Sequence, residues 1–362
     1  MFDIENYMTE HKHEALIECS DPESGLHGWI ALHNTSLGPG LGGIRLWRYD
    51  TSDEALRDVL RLSKGMTYKA SVAGLPLGGA KAVIMADGTE GNSIVRKTRL
   101  RALGGFVQTL QGQYIAAEDV GTTTADILTI KEITNHVVGL PLEAGGSGDP
   151  SPMTALGVFE GQRALLEDVL KVERFKDIRV NIQGLGKVGM NLAALLVQAG
   201  AHVIATDIRH ENRKTAEEKL GIQTVEPDAI YDIESEIFSP CALGGIINDR
   251  TLPRLKCKIV AGSANNQLED TRHGEMLFDK GITYGVDYVI NAGGLINVSH
   301  ELRGYVKEDA RIQVAKIHDT IKQMMAISRK NRISEEQAAH FMAMERLLHA
   351  PLLKGPSVFL QR

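Results

Sequence analysis

Two lysines and one acid stand apart from the other charged residues of this 362-residue chain by their neighbours in sequence. Gly65-Met66-Thr67-Tyr68-Lys69 and Pro76-Leu77-Gly78-Gly79-Ala80-Lys81 set Lys69 and Lys81 among small residues, with few charges nearby. Ala117-Glu118-Asp119-Val120-Gly121 places Asp119 at the end of an apolar run. Amines and carboxylates do acid–base work when set close together, whereas most lysines are simply solvated. On these residues alone both readings stand; the flanking glycines suit close backbone approach.

A second pattern is more specific. Gly184-Leu185-Gly186-Lys187-Val188-Gly189 matches G-x-G-x-x-G, follows the strand-like run Ile178–Gln183 and precedes a helical pattern over 188–199. Asp207 closes the next strand-like run, about twenty residues beyond Gly184. Gly184 permits the tight turn, Gly186 lets backbone approach a pyrophosphate, and Gly189 lets the helix pack on the sheet. The helix N-terminus then meets the phosphates. Asp207 accepts from ribose hydroxyls and repels a 2′-phosphate, so NAD is the expected cofactor; Arg209 and His210 could soften that preference.

The elements that must carry these groups follow from periodicity and punctuation. Thr51-x-x-Glu54 reads as a capping box opening a helix through about Lys64, with Leu56, Val59 and Leu60 on one face. Strands are expected at 29–34, 82–86 and 114–117, and a helix over 125–136. Beyond residue 140 strand and helix alternate, with strands at 178–183, 203–206, 237–238, 258–261 and 284–290. That order predicts an α/β fold with a Rossmann-type parallel sheet. The glycine- and proline-rich stretch 139–152 marks a hinge. The expected division is a substrate-binding and oligomerisation domain (1–138), an NAD-binding domain (139–332), and a C-terminal helix (333–362) returning to the first domain. The tail 351–362 is interrupted by Pro and Gly.

Composition removes other classes. A net charge of −6, 5% aromatics and no long basic run argue against nucleic acid. No 18-residue apolar stretch or charged-then-apolar leader points to a membrane or to export. Three scattered cysteines, Cys19, Cys241 and Cys257, make neither a disulfide framework nor a zinc site, and no metal is expected. The reading is a cytoplasmic protein. His11 and His13 are taken as a solvated N-terminal segment, Cys241 as packing, and the methionines at 324, 325, 342 and 344 as core or interface.

From about Leu37 to Leu348 the chain resembles the Glu/Leu/Phe/Val amino-acid dehydrogenase superfamily, and within it the leucine-type enzymes. The landmarks are LGPGLGGIRLW (37–47), KGMTYK (64–69), PLGGAK (76–81), AEDVGTT (117–123), PSPMTALGV (151–159), PCALGG (240–245), AGSANNQL (261–268) and VINAGGLINV (289–298). The resemblance implies oxidative deamination of an L-amino acid to a 2-oxo acid and ammonium, with the reverse amination. It implies that Lys69, helped by Asn266, pairs with the substrate carboxylate. Lys81 acts as general base for the attacking water, and Asp119 exchanges protons with the amine. Gly42, Gly43 and Met66 line the site, and Thr154 and Asn265 sit with the cofactor. The site falls in a cleft between domains, and the assembly is a homo-oligomer, an octamer by family habit.

The chemistry supports the role of Lys81 independently. A lysine titrates near ~10.4; desolvation and the like charge of Lys69 are expected to push Lys81 down. Substrate class turns on Leu41, Ala117, Leu295 and Val298, an apolar wall that cannot pair a buried carboxylate. Glutamate is therefore disfavoured, and leucine, isoleucine and valine fit best, with an aromatic or other apolar substrate as the alternative. Val138, Asp149 and Leu295 depart from the leucine-type pattern, where threonine, asparagine and valine are usual. A reading from another class is a non-catalytic NAD-sensing scaffold; the presence of Lys69, Lys81 and Asp119 together counts against it.

Overall fold

The computed structural model describes residues 2–350, so the tail from Pro351 lies outside the described residues. The chain forms two units. One comprises the chain up to Gly148 with Val298–Tyr305 and the chain from Ala343; the other comprises Asp149–Asn297 and Val306–Met342.

The first unit contains α1 (Ile4–His11), β1 (Ala15–Asp21), β2 (Leu26–Asn34), β3 (Gly40–Trp47), α2 (Ser52–Val72), β4 (Gly78–Met85), α3 (Ser93–Thr109), β5 (Tyr114–Glu118) and α4 (Thr124–Lys131). The strand order is β1-β2-β4-β3-β5. β3 runs parallel to both β4 and β5, and β2 is antiparallel to β4. Side chains alternate across the sheet. Ala80, Ala82 and Ile84 of β4 join Leu100 and Leu103 of α3 and Ile127 and Ile130 of α4 in one cluster. Val83 turns the other way and packs with Trp29, Leu56, Val59 and Leu60, under α2.

α2 is longer than its sequence pattern indicated. Thr51 Oγ1 accepts from Glu54 N at 3.2 Å, as a cap should, but the helix runs through Gly65 to Val72 and so carries Lys69. Half of the expected box is absent: Glu54 Oε2 takes the N–H of Asp50, not that of Thr51. β4 likewise begins at Gly78 rather than at residue 82, so Lys81 lies on the strand instead of just before it. α4 stops at Lys131 instead of His136, because residues 136–138 pair with β5: Ala116 N donates to His136 O and Val138 N to Ala116 O. β3 and α3 went unread, the first hidden in a glycine-rich string and the second in a basic, weakly patterned one.

The second unit opens with α5 (Ser151–Leu165) and continues with β6 (Arg179–Gln183), α6 (Lys187–Gln198), β7 (His202–Thr206), α7 (His210–Leu220), β8 (Gln223–Thr224), β9 (Ile237–Pro240), β10 (Ile259–Val260), α8 (Arg272–Asp279), β11 (Thr283–Tyr284), α9 (Asp287–Ile290), α10 (Gly293–Ser299), α11 (Lys307–Ala315) and α12 (Ile317–Asn331). All strand pairs are parallel, in the order β11-β10-β9-β6-β7-β8. The order reverses between β6 and β9, the switch point at which open α/β sheets bind ligands. The strand expected over 284–290 is instead two residues of β11 followed by α9, whose turn closes as Asn291 N donates to Asp287 O.

Two features differ from the expected division at 138 and 332. Glu301 accepts from the backbone N–H groups of Gly139, Leu140 and Ser147, which ties the glycine-rich stretch to the first unit as far as Gly148. α13 (Glu335–Leu348) joins that unit only from Ala343, where Ser71 Oγ donates to Ala343 O at 2.9 Å. Arg346 then donates to the carbonyls of Ala70, Ser71 and Leu75, satisfying the end of α2.

The glycine pairs act mostly by close approach. A Cβ on Gly79 would lie 2.0 Å from Thr67 N and 2.6 Å from Ser63 O, both backbone of α2, whereas one on Gly65 would meet nothing within 4 Å. Gly79→Ala is therefore expected to cost about 1–3 kcal/mol, read as a lower denaturant midpoint. Gly65→Ala should hold or raise the midpoint, since glycine inside a helix costs roughly 0.5–1 kcal/mol. Equal midpoints for the two variants would refute the close-approach account.

Candidate active site

The register of β3, β4 and β5 gathers one set of side chains. Leu41 pairs with Gly79 and Arg45 with Val83, while Gly43 pairs with Ala117. Leu41, Arg45, Lys81, Ala117 and, one residue past β5, Asp119 thus share the face on which α2 packs. Lys81 is 5% exposed, and its Nζ lies 2.8 Å from Asp119 Oδ2. The same oxygen accepts from Arg45 Nε at 3.1 Å. Arg45 Nη1 continues to Asp58 Oδ2 on α2 at 2.8 Å, and Asp58 is held further by Tyr49 OH at 2.7 Å and Arg61 Nη2 at 3.0 Å.

Glycine makes this convergence possible. A Cβ on Gly42 would lie 1.7 Å from Ala80 O, and one on Gly43 would lie 2.6 Å from Asp119 Cβ. Gly42 also offers its carbonyl to the buried Tyr114 hydroxyl at 3.0 Å. The pair 42–43 therefore lets three strands and Asp119 crowd together. Leu41 and Ala117 are buried on the same face. Met66 and Lys69, both half-buried, stand three residues apart on α2 and so present one side of that helix.

Burial pushes the Lys81 amine below the usual lysine range; Asp119 opposes that push and Arg45 reinforces it. Arg45, which the sequence did not point to, is thus a cation acting on Lys81. Burial alone would raise the Asp119 carboxyl, but Lys81 and Arg45 outweigh it and hold the group below the usual carboxylate range. Asp58 is likewise held low against burial, chiefly by the Tyr49 hydroxyl and Arg45. A buried amine biased toward neutrality beside an ionised carboxylate can accept and return a proton.

The second unit carries the other predicted group. Gly184 adopts φ +107°, and a Cβ there would lie 2.7 Å from Ala242 Cβ, across the switch point. Gly189 brings α6 onto the turn, its missing Cβ 2.0 Å from Gly184 O. Around Gly186, the cap of α6, a Cβ would meet no protein atom within 4 Å, which leaves the helix N-terminus open to a pyrophosphate. Asp207 Oδ2 accepts from Leu185 N at 2.7 Å and Oδ1 from Arg209 N at 2.8 Å. The carboxylate thereby ties β7 to the turn and still has lone pairs for ribose hydroxyls. These residues fit a dinucleotide.

Other predicted positions have firm places. Thr154 Oγ1 donates to Pro150 O at 3.1 Å, and Gly294 packs so closely that a Cβ would lie 2.6 Å from Thr154 Oγ1. Asn265 Oδ1 accepts from Asn291 Nδ2 at 2.8 Å; Asn266, at φ +50°, accepts at its carbonyl from Gly245 N at 2.8 Å. Leu295 and Val298 are buried on α10. Val138 is buried as well, and Lys187 Nζ lies 3.5 Å from Asp149 Oδ2 at the phosphate turn.

The N-terminal histidines are not a solvated segment. His13 Nε2 lies 2.9 Å from Leu60 O, and its ring meets that of buried His33 edge-on. His33 Nδ1 is 2.8 Å from Thr67 Oγ1, and burial pushes this imidazole down to about 3. The spacing of His11 and His13 gave no sign of this, because the partners lie on β2 and α2. Arg45 and Asp58 were missed for the same reason. Among the described residues the three cysteines are free and no group of His, Cys, Asp and Glu could hold a metal ion.

The chain is similar to known amino-acid dehydrogenases. The profile "Glu/Leu/Phe/Val dehydrogenase, dimerisation domain" matches residues 13–136, and "Glutamate/Leucine/Phenylalanine/Valine dehydrogenase" matches 145–208 and 206–355. A leucine dehydrogenase of Thermoactinomyces intermedius is 48% identical over 99% of this chain and 96% of its own length. A phenylalanine dehydrogenase of Caldalkalibacillus thermarum is 44% identical over 93% of this chain and 91% of its own. The crystal structure of the L-tryptophan dehydrogenase from Nostoc punctiforme superposes with a TM-score of 0.85 at 40% identity, covering 96% of this chain and 99% of that one. A buried lysine–aspartate pair, a Rossmann-type switch point and full-length identity above 40% lead to one assignment: the chain belongs to the Glu/Leu/Phe/Val dehydrogenase family of amino-acid dehydrogenases.

Proposed function

We propose that this chain oxidatively deaminates branched-chain L-amino acids with NAD and catalyses the reverse reductive amination. The observation that carries the reading is the buried Lys81–Asp119 pair on the sheet face under α2. Lys69 pairs with the substrate carboxylate, with Asn266 as its helper, while Gly42, Gly43 and Met66 line the site. The apolar side chain is received by Leu41, Ala117, Leu295 and Val298. All four are buried and apolar, so a second carboxylate would be left unpaired there. NAD is held by the 184–189 turn, Asp207, Thr154 and Asn265, and supplies the hydride acceptor.

Lys81 in its neutral form takes a proton from the water that attacks the oxidised Cα–N centre. Asp119, within hydrogen-bond reach of Lys81, returns protons to the departing amine. The amine must be unprotonated to begin, so kcat/KM for leucine oxidation should rise with pH on a limb below the ~10.4 of a free lysine. Phenylalanine and tryptophan dehydrogenases are also relatives at 42–44% identity, and overlap among apolar substrates is expected because one methylene is worth ~1–3 kcal/mol. The chain self-associates through its first unit, and we propose an octamer. No described helix is long and apolar enough to cross a membrane, and we propose a cytoplasmic location.

Initial rates of NAD reduction across a panel of L-amino acids test the reading, with leucine, isoleucine and valine expected to lead. A preference for glutamate would overturn the substrate, and no signal with any amino acid would favour the NAD-sensing scaffold. Lys81→Ala should lower turnover by at least about 10²-fold with NAD affinity intact; near-wild-type turnover would remove Lys81 from the mechanism. Asp207→Ser should shift the NAD/NADP preference toward NADP by about tenfold, or ~1.4 kcal/mol. An unchanged ratio would mean that Asp207 serves only to brace the β6–α6 turn.

A further inference from the structure

Besides Lys81, Arg45 is a second cation bonded to Asp119, and no part of the reaction has yet been given to it. Its guanidinium is a rigid fork: Nε reaches Asp119 Oδ2 at 3.1 Å and Nη1 reaches Asp58 Oδ2 at 2.8 Å. The side chain is only 21% exposed, and its second anchor is itself clamped by Tyr49 OH and by Arg61 Nη2. Four elements thus converge on two carboxylates: β3 with Arg45, the segment after it with Tyr49, α2 with Asp58 and Arg61, and the end of β5 with Asp119.

Neither fork contact touches substrate in the reading above, so Arg45 acts through Asp119 and Lys81. We propose that Arg45 is a positioning residue: it holds the Asp119 carboxylate against Lys81 and, anchored on Asp58, keeps a fixed positive charge beside the amine. A lysine in its place would reach one carboxylate but not both, and a neutral residue would supply neither geometry nor charge. The inference rests on the amine-oxidising reading above.

The sign of the electrostatic effect follows from the groups around Lys81. Asp119 past β5 and Asp58 on α2 favour its ammonium, and Arg45 on β3 disfavours it. α2 also carries Arg61 and Lys69, and β2 contributes His33, which burial keeps neutral at working pH. Removing Arg45 takes away a cation and leaves Asp119 fully available to the ammonium, so Lys81 should lose its proton at higher pH. Removing the charge of Asp58 does the reverse: one anion is lost and the field of Arg45 is less cancelled.

The test is the pH dependence of kcat/KM for L-leucine and NAD in the full-length enzyme and three variants. Arg45→Met should move the rising limb about one pH unit alkaline, and Asp58→Asn should move it acid by about half a unit. Arg45→Lys should restore the limb to within about 0.3 unit of wild type while kcat stays roughly ten- to a hundredfold low, because Asp119 is misplaced. NAD binding, followed by quenching of protein fluorescence, confirms folding independently of turnover. A merely structural arginine would give reduced stability with superimposable profiles. Superimposable profiles, or limbs moving the same way in Arg45→Met and Asp58→Asn, would overturn the proposal. Should Arg45→Met not fold, Asp58→Asn decides alone: an acid shift supports it and an unshifted limb refutes it. Wild-type protein inactive on every L-amino acid would instead strike the proposed function, and this inference with it.

Discussion

The ion pair between Lys81 and Asp119 is the constraint to which the first unit is built. Taking an ammonium and a carboxylate out of water costs several kcal/mol per ion even after relaxation, and their attraction offsets this only with good geometry and further hydrogen bonds. The structure meets both conditions. Nζ and Oδ2 are 2.8 Å apart, and Arg45 supplies a second donor to the same oxygen. Such a pair adds little to stability compared with a well-packed apolar alternative. Its presence beside Arg45 on a face that also buries Leu41 and Ala117 suits the proton transfer proposed above.

Holding that pair dictates the neighbouring backbone. β3 must lie close to β4 and β5 at the level of Gly42 and Gly43, and α2 must lie against β4 at Gly79. Any side chain at these positions would push the strands or the helix apart. The two apolar clusters on opposite faces of the sheet fix its position, one against α3 and α4 and the other beneath α2. Arg346 and Ser71 then fasten the end of α2, the helix that carries Lys69, to the last turns of α13.

The second unit obeys a simpler rule. Its sheet reverses strand order between β6 and β9, and Gly184 and Ala242 meet where the strands part. Asp207 bridges from β7 to the amide of Leu185, so the residue expected to read the ribose also braces the turn expected to receive the phosphates. One carboxylate can serve both because it has acceptor sites to spare.

Local chemistry made much of this legible in the sequence. The G-x-G-x-x-G turn with its distant acid, the capping threonine of α2 and the alternation of strand and helix beyond residue 150 are contiguous signals, and most of these elements stand within a few residues of their expected places, the strand expected over 284–290 excepted. Lys81 and Asp119 could be singled out, but not joined, since one lies on β4 and the other just past β5. What only the tertiary structure decided is long-range: the longer course of α2, the strand at Gly40–Trp47, the burial of His33, and the fork of Arg45 between Asp119 and Asp58. The reason is physical. A glycine reads as a turn until a neighbouring backbone occupies the space where its Cβ would be, and an arginine reads as solvated until strand register sets it opposite an acid 74 positions away.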